Sequence, residues 1–118
     1  MGEHLEKKYI EIRPWGMFEQ FTHSEPSTVK ILTVNPNEAL SLQYHNHREE
    51  FWKVLRGKAK IVVGDVTNQA QEGAEFFIAQ GQKHQIQTDD SQVKILEISF
   101  GSFDEKDIVR LDDRYGRK

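Results

Sequence analysis

The sequence predicts an all-β sandwich or barrel, and three observations carry that prediction. Residues 29–34 (VKILTV), 59–63 (AKIVV) and 93–100 (VKILEISF) are short runs rich in β-branched side chains, the residues that fit a pleated, half-buried surface. Gly, Pro and Asn turn signals separate such runs at regular intervals along all 118 residues. Residues 40–45 (LSLQYH) alternate strictly, so Ser41, Gln43 and His45 share one face of a strand and Leu40, Leu42 and Tyr44 the other.

Taken in order, residues 1–9 are a polar lead-in, with His4 solvated. Residues 10–21 (IEIRPWGMFEQF) break at Pro14 and Gly16, which predicts an extended piece, a turn and a short strand, with Trp15 and Phe18 covering one end of the core. A loop at 22–27 carries His23 and leads into the strand at 29–34. After the turn at 35–38 come strands at about 40–45 and 51–55, a tight turn at 56–58, and a strand at 59–63. Gly64 and Asp65 turn the chain again. Further strands are expected at 75–78, 84–87 and 93–100. Residues 104–118 (DEKDIVRLDDRYGRK) form a charged segment able to wrap the barrel, with Ile108, Val109 and Leu111 to bury.

The length fits one domain, residues 1–118, with a single modest core. A net charge of −3 with both signs mixed leaves no broad basic field for nucleic acid. The absence of cysteine excludes disulfides and thiolate metal sites and fits a cytoplasmic protein. No apolar run reaches transmembrane length, so no membrane partner is expected. The charged N-terminus is neither a secretory signal nor, with Glu6 in place of Ser or Thr, a myristoylation signal.

The chemistry concentrates in residues 40–57. Gln43 and His45 point the same way, His47 joins them if the strand runs on, and Glu50 follows on the next strand. Imidazole, amide oxygen and carboxylate converging from two adjacent strands suit a divalent cation. His84, after the glycine-bearing loop at 80–82, is the fourth candidate.

This layout resembles the two motifs of a cupin. Anchoring the first motif on the spacing of Glu50 and Gly57 puts its two histidine positions at Gln43 and His45 rather than at His45 and His47. LSLQYHNHREEFW, together with RPWG at 13–16 and DIVRLDDRYGR at 107–117, resembles the type II phosphomannose isomerases, usually found as the last domain of bifunctional guanylyltransferase–isomerase proteins. The resemblance spans about residues 12–117 and implies a double-stranded β-helix, or jelly-roll, cupin. It also implies one divalent metal on Gln43, His45, Glu50 and His84, zinc by default with Ni, Co, Mn or Fe admitted. The implied reaction is interconversion of mannose 6-phosphate and fructose 6-phosphate through an enediolate, whose oxygen charge a metal with open positions stabilises. Nothing resembles the phosphate-binding glycine loop of the transferase half, so no nucleotidyl transfer is expected. The chain departs from the family at Glu49 (usually Ala), Phe51 (usually His), Ala79 (usually Pro) and Thr88 (usually Asn), and at none of the four ligand positions.

Lys83, Glu49, His47 and Lys53 are candidates for the general base, although strand alternation turns Lys83 away from its neighbour His84. Arg110 is the candidate phosphate clamp, ahead of Arg114 and Arg117, because guanidinium binds phosphate as a bidentate fork. Trp52, Phe51, Phe76, Phe77 and Phe100 are read as packing. Two rival functions share these residues: a metal-bearing cupin that binds a sugar or sugar phosphate without turnover, and a cupin metal oxygenase. A homodimer is expected, with the N-terminal segment covering a sheet edge.

Overall fold

The computed structural model describes residues 9–101, 103–113 and 115–116. The expectations for residues 1–8, Arg114 and Arg117 lie outside this range. Among the described residues there are eleven strands and no helix: β1 (Tyr9–Arg13), β2 (Gly16–Gln20), β3 (Ser27–Val34), β4 (Leu42–Tyr44), β5 (Glu49–Arg56), β6 (Lys58–Val63), β7 (Val66–Gln71), β8 (Glu75–Ile78), β9 (His84–Gln87), β10 (Val93–Phe100) and β11 (Val109–Asp112).

Strands β1 and β2 form a separate antiparallel hairpin. The others make two antiparallel sheets, one in the order β3-β10-β5-β8 and one in the order β11-β4-β9-β6-β7. Alternation along each strand turns Trp52 and Val54 of β5, Val93 and Ile95 of β10, Ile61 of β6 and Ile86 of β9 into one buried cluster, joined by Ile78 of β8 and Val34 of β3. The first sheet is apolar on its other face as well: Phe51, Ile98 and Phe100 are buried there against Phe21, Phe77 and Leu96.

Gly57 makes the β5–β6 turn tight. Its φ is +84°, and a Cβ added there would meet the Gln92 carbonyl oxygen at 2.4 Å. Gly57→Ala therefore strains the backbone and collides with it, and is expected to cost about 1–3 kcal/mol in denaturant unfolding with an unchanged slope.

Two expectations need correction, and one strand has no counterpart in the sequence reading. The strand expected at 40–45 is ordered as a ladder only over β4, because an isolated bridge joins Ala39 to Gln87 and the chain leaves the sheet after Tyr44. Polar VTNQAQ forms β7, which lacks the apolar alternation that marks the other strands; it is an edge strand that buries only Ala70. Trp15 does not cover the core: it sits at the hairpin turn, 73% exposed.

Candidate metal centre

Gln43 and His45 are not on a strand paired with the one bearing Glu50. β4 lies between β9 and β11 in one sheet and β5 lies in the other, so the cluster forms across the sandwich. Within the β4 sheet, Gln43 pairs in register with His84 of β9 and with Arg110 of β11.

Just past β4, the chain is held by Asp107. Its carboxylate accepts from the backbone N–H of Asn46 at 2.8 Å and of His47 at 2.9 Å, and its carbonyl oxygen lies 2.6 Å from His45 Nδ1. Burial alone would raise the Asp107 carboxyl, but these two N–H donors and the neighbouring histidines hold it below its ordinary value. A carbonyl oxygen can only accept, so His45 Nδ1 carries the proton. The same reasoning applies to His84, whose Nδ1 lies 2.9 Å from the Gln82 carbonyl oxygen. Both rings are thereby fixed with Nε2 as a bare lone pair, the orientation that backbone carbonyls impose on metal-binding histidines. Burial further lowers the His84 pKa, against the opposing pull of Gln82 and Glu50, and keeps the ring neutral.

The lone pairs converge on Glu50. Its Oε1 is 3.5 Å from His45 Nε2 and 3.5 Å from His84 Nε2, and the three donor atoms lie within 4.8 Å of one another. Two ligands each about 2.1 Å from a tetrahedral cation stand about 3.4 Å apart. All three residues are buried, and neither Glu50 Oε1 nor His84 Nε2 has a hydrogen-bond partner. Such orphans are costly unless something else satisfies them. Glu50 Oε2 accepts from Ser99 Oγ at 3.0 Å and Arg48 Nε at 3.2 Å. Burial pushes the Glu50 carboxyl up, but contact with His45 and the charges of His45, His84 and Arg48 outweigh it and keep it below the ordinary carboxylate value. Two imidazoles with Nε2 turned toward one carboxylate, and two donor atoms without a hydrogen-bond partner, fit a divalent cation.

The remaining candidates divide by position. Gln43 is half-buried beside the cluster, and its Oε1 already accepts from Ser41 Oγ at 2.6 Å. His47 is exposed, because the strand that would have turned it inward ends first. Lys83 faces Asp65 at 3.4 Å, as alternation predicts. Glu49 and Lys53 lie on the outer face of β5, where Lys53 bonds Glu19 and Glu75. Arg110 lines a cavity of about 320 Å³ with Gln43, Arg48 and Glu97, and its Nε is buried without a partner.

Two residues of this cavity escaped the sequence reading. Arg48 is buried between the cluster and the cavity: Nη2 donates to His45 Nε2 at 3.2 Å, Nη1 donates to the Asp104 carbonyl at 3.1 Å, and the guanidinium lies 4.4 Å from the Phe103 ring centroid. A cation bound at His45 Nε2 requires the first of these bonds to open. Arg48 stands two residues before Glu50, a spacing that marks a shared face. Glu97 of β10 is buried and accepts from Trp52 Nε1 at 3.0 Å. Burial and the Glu50 charge raise its pKa, against Trp52, Lys30 and Arg48. Its signal was an acid in phase with inward-facing Val93 and Ile95.

The family departures leave the cluster intact. Phe51 points outward, away from it. The Ala79 N–H, which proline would lack, accepts a structural role by donating to Gln82 Oε1 at 3.0 Å. Thr88 Oγ1 donates to the Asn35 carbonyl at 2.5 Å and accepts from the Glu38 N–H at 3.0 Å, closing the 35–38 turn.

Two facing antiparallel sheets with a His–Glu–His cluster between them define a cupin, and solved cupins superpose on the chain. Oxalate decarboxylase from Bacillus subtilis matches with a TM-score of 0.67 at 22% identity, over 75% of this chain and 24% of the other. A cupin protein from Bacteroides fragilis matches with a TM-score of 0.58 at 27% identity, over 66% and 70%. Residues 2–113 match the family model described as mannose-6-phosphate isomerase C-terminal, and the chain belongs to that family. The mannose-1-phosphate guanylyltransferase ManC of Salmonella typhimurium is 34% identical over 119 aligned positions, covering 98% of this chain and 25% of the relative. The chain thus spans about a quarter of the length of that relative.

Proposed function

We propose that the chain is a metal-dependent sugar-phosphate isomerase that interconverts mannose 6-phosphate and fructose 6-phosphate. The observation that carries this reading is the cavity beside the cluster, where Arg48, Arg110 and Lys30 and the carboxyls of Glu97 and Glu105 line the same space as Gln43. Isomerisation of a phosphorylated sugar needs an anion clamp, an acid–base group and stabilisation of a developing enediolate, and this space offers residues for each.

His45, Glu50 and His84, with Gln43 as a fourth donor, would hold the metal, and zinc is the first choice for such N/O ligands. When bound, the metal supplies Lewis-acid stabilisation of oxygen charge at the reacting carbons. Arg110 binds the phosphate through its guanidinium, whose buried Nε has no partner. Arg48, fixed by Asp104 and Phe103, adds positive charge to the same cavity. Glu97 takes the general acid–base role in place of Lys83, Glu49 and His47, none of which faces this space. It removes the proton from the carbon next to the carbonyl and returns it to the neighbouring carbon, while Trp52 Nε1–H holds its other oxygen. The substrates are small cytoplasmic phosphosugars in this reading, and among the described residues no helix is long and apolar enough to cross a membrane.

Arg110→Ala removes charge-assisted hydrogen bonds worth about 1.5–3 kcal/mol, so kcat/KM should fall by about 10–100-fold, mainly through KM. The direct test is conversion of mannose 6-phosphate to fructose 6-phosphate by protein stripped of metal and then reloaded. Turnover that appears only on reloading supports the isomerase. Stoichiometric metal binding with no turnover by any divalent ion would instead assign a sugar-phosphate-binding module.

A further inference from the structure

We infer that Arg48 couples the metal centre to the anion cavity, so that a divalent cation at the cluster and an anion in the cavity each tighten the binding of the other. This coupling rests on the metal and phosphate roles proposed above and makes the two sites depend on each other through one side chain. Arg48 immediately precedes β5, and its side chain is only 8% exposed. Its guanidinium is held on three sides. Nε donates to Glu50 Oε2 at 3.2 Å, Nη2 donates to His45 Nε2 at 3.2 Å, and Nη1 donates to the Asp104 carbonyl at 3.1 Å. The Phe103 ring backs it at 4.4 Å, and Lys30 Nζ stands 4.3 Å from the same ring centroid.

The His45 contact sets the competition. His45 Nδ1 is taken by the Asp107 carbonyl, so Nε2 has a single lone pair to offer. That lone pair cannot serve both Nη2 and a cation, and the positive charge of Arg48 opposes a second one beside it. A cation at His45 therefore strips a buried donor of its acceptor, which is costly until the donor finds another. The cavity that Arg48 lines supplies the place for one. Lys30, Arg48 and Arg110 face that space together, and the Nε of Arg110 is also buried without a partner. The two carboxyls there compete poorly for the freed donor: Glu97 already accepts from Trp52 Nε1 at 3.0 Å, and Glu105 is exposed to water. A tetrahedral anion accepts from guanidinium as a fork. The anion thus relieves the cost that the cation imposes, and the cation releases the donor that the anion uses. By linkage, each ligand tightens the other by the same factor.

The test is calorimetry on the full chain at constant ionic strength, with sulfate as the anion because it is tetrahedral, is not turned over and carries no sugar hydroxyls. Sulfate is titrated into metal-free and zinc-loaded protein, and zinc into protein with and without saturating sulfate. In the wild-type chain each Kd should fall by about tenfold or more when the other ligand is present. Arg48→Met, which removes the competing donor and its charge, should bind zinc alone more tightly than the wild type and sulfate more weakly. A merely structural role for Arg48 would not tighten zinc binding. Arg48→Lys keeps the charge but not the fork, and in both variants the coupling should shrink to less than about twofold. Independent binding of the two ligands to the wild-type chain would overturn the coupling alone. So would coupling that survives in both variants, because the anion would then be touching the metal directly. Failure of either ligand to bind the wild-type chain would overturn the coupling together with the site roles it rests on. None of these readouts depends on isomerase activity.

Discussion

Glu50→Gln is expected to lower the affinity for a divalent metal by more than about 100-fold and to remove metal-dependent turnover, in a protein that still folds. Loss of an outer partner of a metal ligand typically costs about 10–100-fold, and the loss of a charged ligand at the centre of the cluster exceeds that. Glu50 Oε1 lies 3.5 Å from the Nε2 atoms of both histidines. Gln keeps the volume and one carbonyl oxygen, so packing among Trp52, Ser99 and the histidines is preserved while the charge is removed. Arg48 then loses its carboxylate partner, and the variant should be modestly less stable when metal-free. Calorimetric titration with zinc checks the affinity; a change of less than tenfold would mean that Glu50 is not a ligand.

Trp52→Ala should cost about 3–5 kcal/mol, a large share of the 5–15 kcal/mol that usually stabilises a domain. The side chain is fully buried at the centre of the main core cluster. It also reaches the site twice: its ring lies 5.3 Å from the His84 ring in an edge contact, and its Nε1–H holds Glu97. Deletion therefore opens a cavity and leaves a buried carboxyl short of a donor. Denaturant unfolding monitored by circular dichroism measures the cost. Trp52→Phe, which keeps most of the volume but not the N–H, should fall between the two and should disturb turnover more than stability.

Much of this was legible in the sequence because the strands are short, β-branched and bounded by turns. β8, β9 and β10 begin and end where expected, since Gly73, Gly81 and the Asp89–Asp90 turn mark them and their alternation is clean. His45, Glu50 and His84 were found by spacing, and the fold brings them together. What spacing could not show is that β4 and β5 belong to opposite sheets, because a strand pattern records which face a residue is on but not which strand is its neighbour. The failure at His47 has the same root: alternation holds only while the ladder lasts, and here a loop held by Asp107, 60 residues away, ends it. Arg48 and Glu97 carried a phase signal but no motif, and their relation to the cluster arises from tertiary contacts alone. β7 stayed hidden because an edge strand with a polar outer face needs little hydrophobic pattern.

The most direct test of the account is zinc binding to the metal-stripped chain, followed by calorimetry. A single site per chain, retained in Lys83→Ala and lost in both His45→Ala and Glu50→Gln, is the result predicted by three donors converging within 4.8 Å. No binding, or binding that both His45→Ala and Glu50→Gln leave unchanged, would contradict it.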